Sequence, residues 1–170
     1  MTGPRKTRNQ LRAERRPRAH SCWGHLIAAP LWVAYRANLG TLLRTCDAVG
    51  ACIAVPHTPH YREALRTGNT LTARPCIHWV HKPRNWLANE RDRGATVLGV
   101  ELAEDAVRLG DLRPATGRTI IALGHEHHGI PDDVWNLLDQ VVEIPMVGAG
   151  ASLNVAVAGS LVLYRLAGLS

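Results

Sequence analysis

Short apolar runs alternate with amphipathic stretches along this chain. Residues 31–35, 51–55, 76–80, 96–100, 118–123 and 140–144 read as strands. They are continuous apolar runs, the mark of strands buried on both faces. Between them the spacing predicts helices over 42–49, closed by Gly50, over 61–66, and over 85–93, ending at Gly94. A short helix begins at Pro131, and a last one covers 153–166. Residues 38–41 read as a turn. Strands alternating with helices predict an α/β fold, a mostly parallel sheet with helices on both faces.

Composition sharpens this picture. The 170 residues suit one domain with a real core. With five Trp, three Tyr and no Phe, packing falls to Ala, Val and Leu. Net charge is confined to one end. Residues 1–20 hold Arg5, Lys6, Arg8, Arg12, Arg15, Arg16 and Arg18 against Glu14, a net of +6 that equals the formal net charge of the whole chain. The body, 21–170, is neutral. The first 20 residues therefore read as a flexible basic arm suited to a polyanion such as RNA, since each phosphate contact releases counterions. No apolar run is long enough to span a membrane, and the N-terminus lacks the apolar core of a signal peptide. A cytoplasmic protein is expected. Cys22, Cys46, Cys52 and Cys76 form no CxxC pair and read as reduced, partly buried thiols.

Three segments carry candidate chemistry. In 38–45, Asn38 stands where a helix cap belongs, Gly40 would let backbone approach a ligand, and Arg44 could grip a phosphate. In 124–129, His125, His127 and His128 flank Glu126. The His-Glu-x-x-His zinc spacing is missing, adjacent histidines on a turn are poor co-ligands and no CxxC supports them, so no metal is expected in the protein. A glycine-bounded loop after a strand suits a cofactor cradle better. In 148–154, small residues lead to Ser152 and Asn154, either helix caps or polar groups offered to a substrate.

The ordered set N-L-G-T-L-L-R-T (38–45), L-G-H-E-H-H-G-I-P (123–131), V-E-I-P-M-V-G (142–148) and S-L-N-V-A-V-A (152–158) resembles the SpoU/TrmH-like branch of the SPOUT RNA methyltransferases. The resemblance covers 31–166. It implies that 21–170 form a SPOUT domain whose C-terminal segment is threaded into a deep trefoil knot. It also implies a homodimer with the site at the subunit interface and methylation of a ribose 2′-hydroxyl. The methyl donor would be S-adenosylmethionine, held by Leu123, Gly124, His125, Ile144, Met146, Ser152 and Leu153. Asn38, Arg44, Glu126, Ser152 and Asn154 would serve the reaction. Guanidinium is a poor base because it stays protonated, so Arg44 is expected to clamp RNA phosphate and stabilise the developing alkoxide. A histidine of 125–128 is the candidate base. With the arm, Arg5, Arg8, Arg12, Arg15, Arg16, Arg18 and Arg44 form the expected RNA contacts. tRNA is the first substrate expected, and ribosomal RNA the alternative. A catalytically silent RNA-binding protein is the rival of another class. Segment 59–72 departs from the family pattern and lends no site residue. No GxGxxG follows the first strand, against a dehydrogenase.

Overall fold

The computed structural model describes residues 5–14, 25–71 and 74–170, with Arg12 described in its backbone alone. Within the basic arm, α1 spans Arg8–Glu14, so this part of the arm is helical rather than irregular. The body follows as β1 (Leu26–Ala29), α2 (Arg36–Val49), β2 (Cys52–Pro56), α3 (Pro59–Gly68), β3 (Ile77–Val80), α4 (Pro83–Asp92) and β4 (Thr96–Val100). Then come β5 (Val107–Arg108), β6 (Thr119–Leu123), a 3-10 helix over Asp132–Leu137, β7 (Gln140–Glu143) and α5 (Val155–Leu166).

The strands form one seven-stranded sheet in the order β3-β2-β1-β6-β4-β7-β5. Every pairing is parallel. Side chains alternate between two cores. Ala28, Ile53, Val55, Ile121 and Leu123 face α2, α3 and α5. Ile27, Ala29, Cys52, Ala54, Ile120 and Ala122 face α4 and the 3-10 helix. This double burial explains why the strands read as continuous apolar runs. Among the described residues no helix is long and apolar enough to cross a membrane. Cys46 and Cys52 are buried and Cys76 is half-buried, all as thiols. Cys22, Arg15, Arg16 and Arg18 lie outside the described residues.

Three expectations are corrected. The first strand is β1, not 31–35. Leu31 and Val33 are buried, but in an irregular segment whose backbone is paired with side chains instead of a ladder. The Tyr61 hydroxyl donates to the carbonyls of Val33 (2.9 Å) and Leu31 (3.3 Å). A Glu126 carboxylate takes the amides of Ala34 and Tyr35. Apolar content therefore reported burial here, not strand. Likewise 38–41 is no turn, because α2 already begins at Arg36. Gly40 faces α3, not a ligand: a Cβ there would stand 3.0 Å from the Gly68 Cα. The two glycines let α2 and α3 touch backbone to backbone. Short β5 escaped the pattern, as a two-residue edge strand carries no periodicity.

Gly40→Val should wedge α2 from α3 and cost about 1–3 kcal/mol, the usual range for overpacking. A lower urea midpoint at unchanged slope is the expected reading. An unmoved midpoint would show that the glycine contact carries no packing role.

Candidate active site

A cleft of about 820 Å³ opens at the C-terminal ends of β6, β4 and β7, neighbours in the sheet. Parallel sheets place ligands at this end, where strands stop and loops diverge, and the volume suits a cofactor-sized molecule. Three loops wall it: the segment after β4 (Glu101, Leu102), the turn after β6 (Gly124 to Gly129), and the long connection from Ile144 to Asn154. The last is mostly exposed.

The turn after β6 is closed by a reciprocal pair of bonds between His125 and Gly129, each amide donating to the other carbonyl at 2.9 Å. Gly124 cannot carry a side chain. A Cβ would lie 2.5 Å from the Ile130 nitrogen and in collision with the Gly129 backbone. That turn presents Glu126 to the N-terminus of α2. Its carboxylate accepts from the amides of Ala34 (2.9 Å) and Tyr35 (3.0 Å) and from Asn38 Nδ2 (2.8 Å). The N-cap residue, Tyr35, makes no side-chain cap bond, so a carboxylate from elsewhere in the chain does that work. It also sits at the positive end of the helix dipole.

The contacts continue in one direction. A carboxylate only accepts, so Asn38 must turn Nδ2 towards Glu126. Its Oδ1 then accepts from Asn154 Nδ2 at 2.9 Å. That leaves Asn154 Oδ1 to cap α5, accepting from the amides of Ala156 (2.9 Å) and Val157 (3.3 Å). Asn38 is thus not a cap, as first read, but the link between two capped helices. Partial burial raises the Glu126 pKa, but the bonds from Ala34, Tyr35 and Asn38 outweigh it and hold the carboxyl below its ordinary range. The same negative charge, after burial, raises the Tyr61 phenol to about 12.

Of the expected cofactor residues, Leu123, Gly124, His125, Ile144, Met146, Ser152 and Leu153 all line the cleft. Asn38, Glu126, Ser152 and Asn154 line it too. Arg44 does not. It lies more than two turns into α2, exposed, with Nη1 donating to Thr70 Oγ1 at 2.8 Å. Arg5 and Arg8 are exposed in the arm. Of the three histidines, His125 and His127 reach the cleft, and His127 Nε2 lies 2.8 Å from the Tyr35 hydroxyl.

Tyr35, Glu101, Arg108 and Glu143 are lining residues that sequence reasoning missed. Arg108 and Glu143 form an ion pair at 3.4 Å. Glu101 and Glu143 were findable: each is a carboxylate where a buried parallel strand ends, the position that faces a ligand in such sheets. Arg165 ties α5 to the segment after β5 through the carbonyls of Gly110 and Leu112, both at 2.7 Å.

Known proteins resemble this chain in sequence and in fold. A tRNA (guanosine(18)-2′-O)-methyltransferase of Thermus thermophilus is 34% identical over 138 residues, covering 75% of this chain and 66% of that protein. Its Aquifex aeolicus counterpart is 28% identical over 131 residues, covering 75% and 62%. This chain therefore spans less than two thirds of these curated relatives. The structure of an AdoMet-bound rRNA methyltransferase from Sinorhizobium meliloti superposes with a TM-score of 0.70 at 25% identity, covering 87% of this chain and 57% of that one. The SpoU rRNA Methylase family matches residues 32–164, a span that holds the cleft and every residue of the Glu126–Asn38–Asn154 chain, and the protein belongs to that family.

Proposed function

We propose that this chain is an S-adenosylmethionine-dependent methyltransferase acting on a ribose 2′-hydroxyl of RNA, with tRNA as substrate, as a cytoplasmic homodimer. One observation carries the reading: Glu126, Asn38 and Asn154 lock three separate motifs of the chain around a single cofactor-sized cleft. The cleft fits the donor. Leu102, Leu123, Ile144 and Leu153 offer apolar walls, and Glu101 and Glu143 supply negative charge suited to a cation. Gly124 keeps its wall free of any side chain. The knotted threading implied by the resemblance belongs to the same proposal.

When bound, S-adenosylmethionine supplies an electrophilic methyl on a sulfonium, open to in-line displacement by the ribose oxygen. The chain positions that reaction rather than activating a metal. Leu123, Gly124, His125, Ile144, Met146, Ser152 and Leu153 hold the donor. The Glu126 relay fixes the loops that carry them, so little ordering remains to be done on binding.

Arg44 lies off the cleft of its own chain, which supports a site completed across a dimer. Val157, Leu161 and Tyr164 form an exposed apolar stripe on α5, at helical spacing, and suit a second copy. Arg44 of the partner subunit then grips the RNA phosphate and stabilises the developing alkoxide. The arm extends the RNA surface through Arg5, Arg8, Arg12, Arg15, Arg16 and Arg18.

Glu126→Gln should cost about 1 kcal/mol, the low end of the range for a lost charged hydrogen-bond acceptor, because the network is only partly buried, and weaken donor binding. Glu126 titrates below the ordinary 4.5 when folded. Its contribution is therefore complete above that value and is lost as pH falls through the folded pKa. Unfolding curves should show an acid-side slope that Glu126→Gln flattens; identical slopes would remove Glu126 from this role.

Arg44→Ala should lower methyl transfer to tRNA by about 100-fold or more, the loss typical of an oxyanion-stabilising donor, with donor affinity retained. Mixed dimers of Arg44→Ala and Asn154→Ala should regain activity, since one of their two composite sites is intact. Inactive mixtures of confirmed dimers would place Arg44 in the cleft of its own chain. RNA binding without any transfer by the unmodified chain would favour the silent RNA-binding reading.

Deleting residues 1–20 should weaken RNA binding and flatten its salt dependence while leaving donor affinity unchanged. An unaltered salt slope would show that the arm makes no phosphate contacts.

A further inference from the structure

At the opposite end of the sheet from the cleft, two thiols and an imidazole converge. Cys52 opens β2, and Cys76 immediately precedes β3. They stand one step back from the paired Ile53 and Ile77, on neighbouring parallel strands. Their Sγ atoms are 2.7 Å apart, and His78 Nε2 lies 3.7 Å from Cys76 Sγ. One ligand atom from each residue lies within 4.8 Å of the others. The convergence follows from strand geometry. Residues two apart share a face, so His78 falls on the side of Cys76, and the parallel register brings Cys52 beside both. Linear spacing hides it, because Cys52 and Cys76 lie 24 residues apart.

Apolar packing accounts for Cys52, which is fully buried among the residues facing α4. It does not account for an imidazole beside two thiols at a half-open position. Cys76 and His78 are both half-buried, which leaves a way in for an ion. β3 is the edge strand of the sheet, joined on one side only, and a clamp here would fasten its start to β2.

We propose that Cys52, Cys76 and His78 bind one thiophilic divalent cation, zinc above all, with the fourth position open to water. Two sulfurs and one nitrogen are the donors that select zinc over magnesium or calcium. On binding, each thiol gives its proton to water and the two thiolates balance the ion's charge, so affinity weakens as pH is lowered. Tetrahedral zinc with Zn–S bonds of about 2.3 Å sets two sulfurs about 3.8 Å apart. The thiols therefore separate by about 1 Å, which the half-buried edge allows. The ion acts on the fold, as a staple of the sheet edge, and takes no part in methyl transfer.

Cobalt(II) serves as the probe on the full, reduced chain. It should give a thiolate-to-cobalt charge-transfer band that saturates at one ion per chain and is displaced by zinc. Zinc should raise the melting temperature, and a chelator should reverse the rise. Cys76→Ser and His78→Ala should each weaken binding at least about tenfold, since even second-shell losses cost that much. His78→Ala, at a half-exposed position, carries the test if Cys76→Ser folds poorly. Cys46→Ser should bind as the unmodified chain does, because Cys46 faces the other core and burial pushes its thiol up to about 12. Absence of the band, a band that survives both ligand variants, or a purified chain lighter by two hydrogens from a Cys52–Cys76 cross-link would each overturn the proposal.

Discussion

The ionised carboxylate of Glu126 sets the geometry around it. Because it only accepts hydrogen bonds, it dictates the orientation of the Asn38 amide, which dictates that of Asn154, which caps α5. Three segments far apart in sequence are thereby held at fixed distances: the turn after β6, the start of α2 and the start of α5. The relay costs little elsewhere. Among the described residues every buried side-chain polar atom has a partner, and the charge is offset by two backbone amides at the positive end of a helix.

The rest of the fold makes that relay possible. A fully parallel sheet sends all its C-terminal strand ends to one edge, so loops after β4, β6 and β7 converge without special design. Neighbouring glycines bring backbones together where side chains would separate them, at Gly40 against Gly68 and at Gly124 against Gly129. One contact packs two helices and the other shapes the cleft wall. The two ends of the sheet carry different chemistry: carboxylates, imidazoles and open backbone at one, a thiol pair beside an imidazole at the other.

Much of this was legible in the sequence. Strands 51–55, 76–80, 96–100, 118–123 and 140–144 each fall within one residue of β2, β3, β4, β6 and β7. Every residue assigned to the cofactor by resemblance lines one cleft. The failures share one cause. Residues 31–35 and 38–41 were read by local pattern, yet their backbone conformation is set by groups from elsewhere, Tyr61 and Glu126 for the first and the α2–α3 contact for the second. Arg44 was expected to serve the site from the other subunit, and it does stand outside the cleft of its own chain.

By itself, the sequence determined the fold class, the two-faced burial of the strands, the family and those cleft residues that lie in its motifs. Each of these depends on local periodicity or on an ordered set of motifs. Only the tertiary structure decided that Asn38 is a link rather than a cap, that Gly40 packs a helix, and that Cys52, Cys76 and His78 meet. Those facts turn on which side chains face one another across long sequence separations, and strand register and helix contact, not spacing along the chain, set such distances.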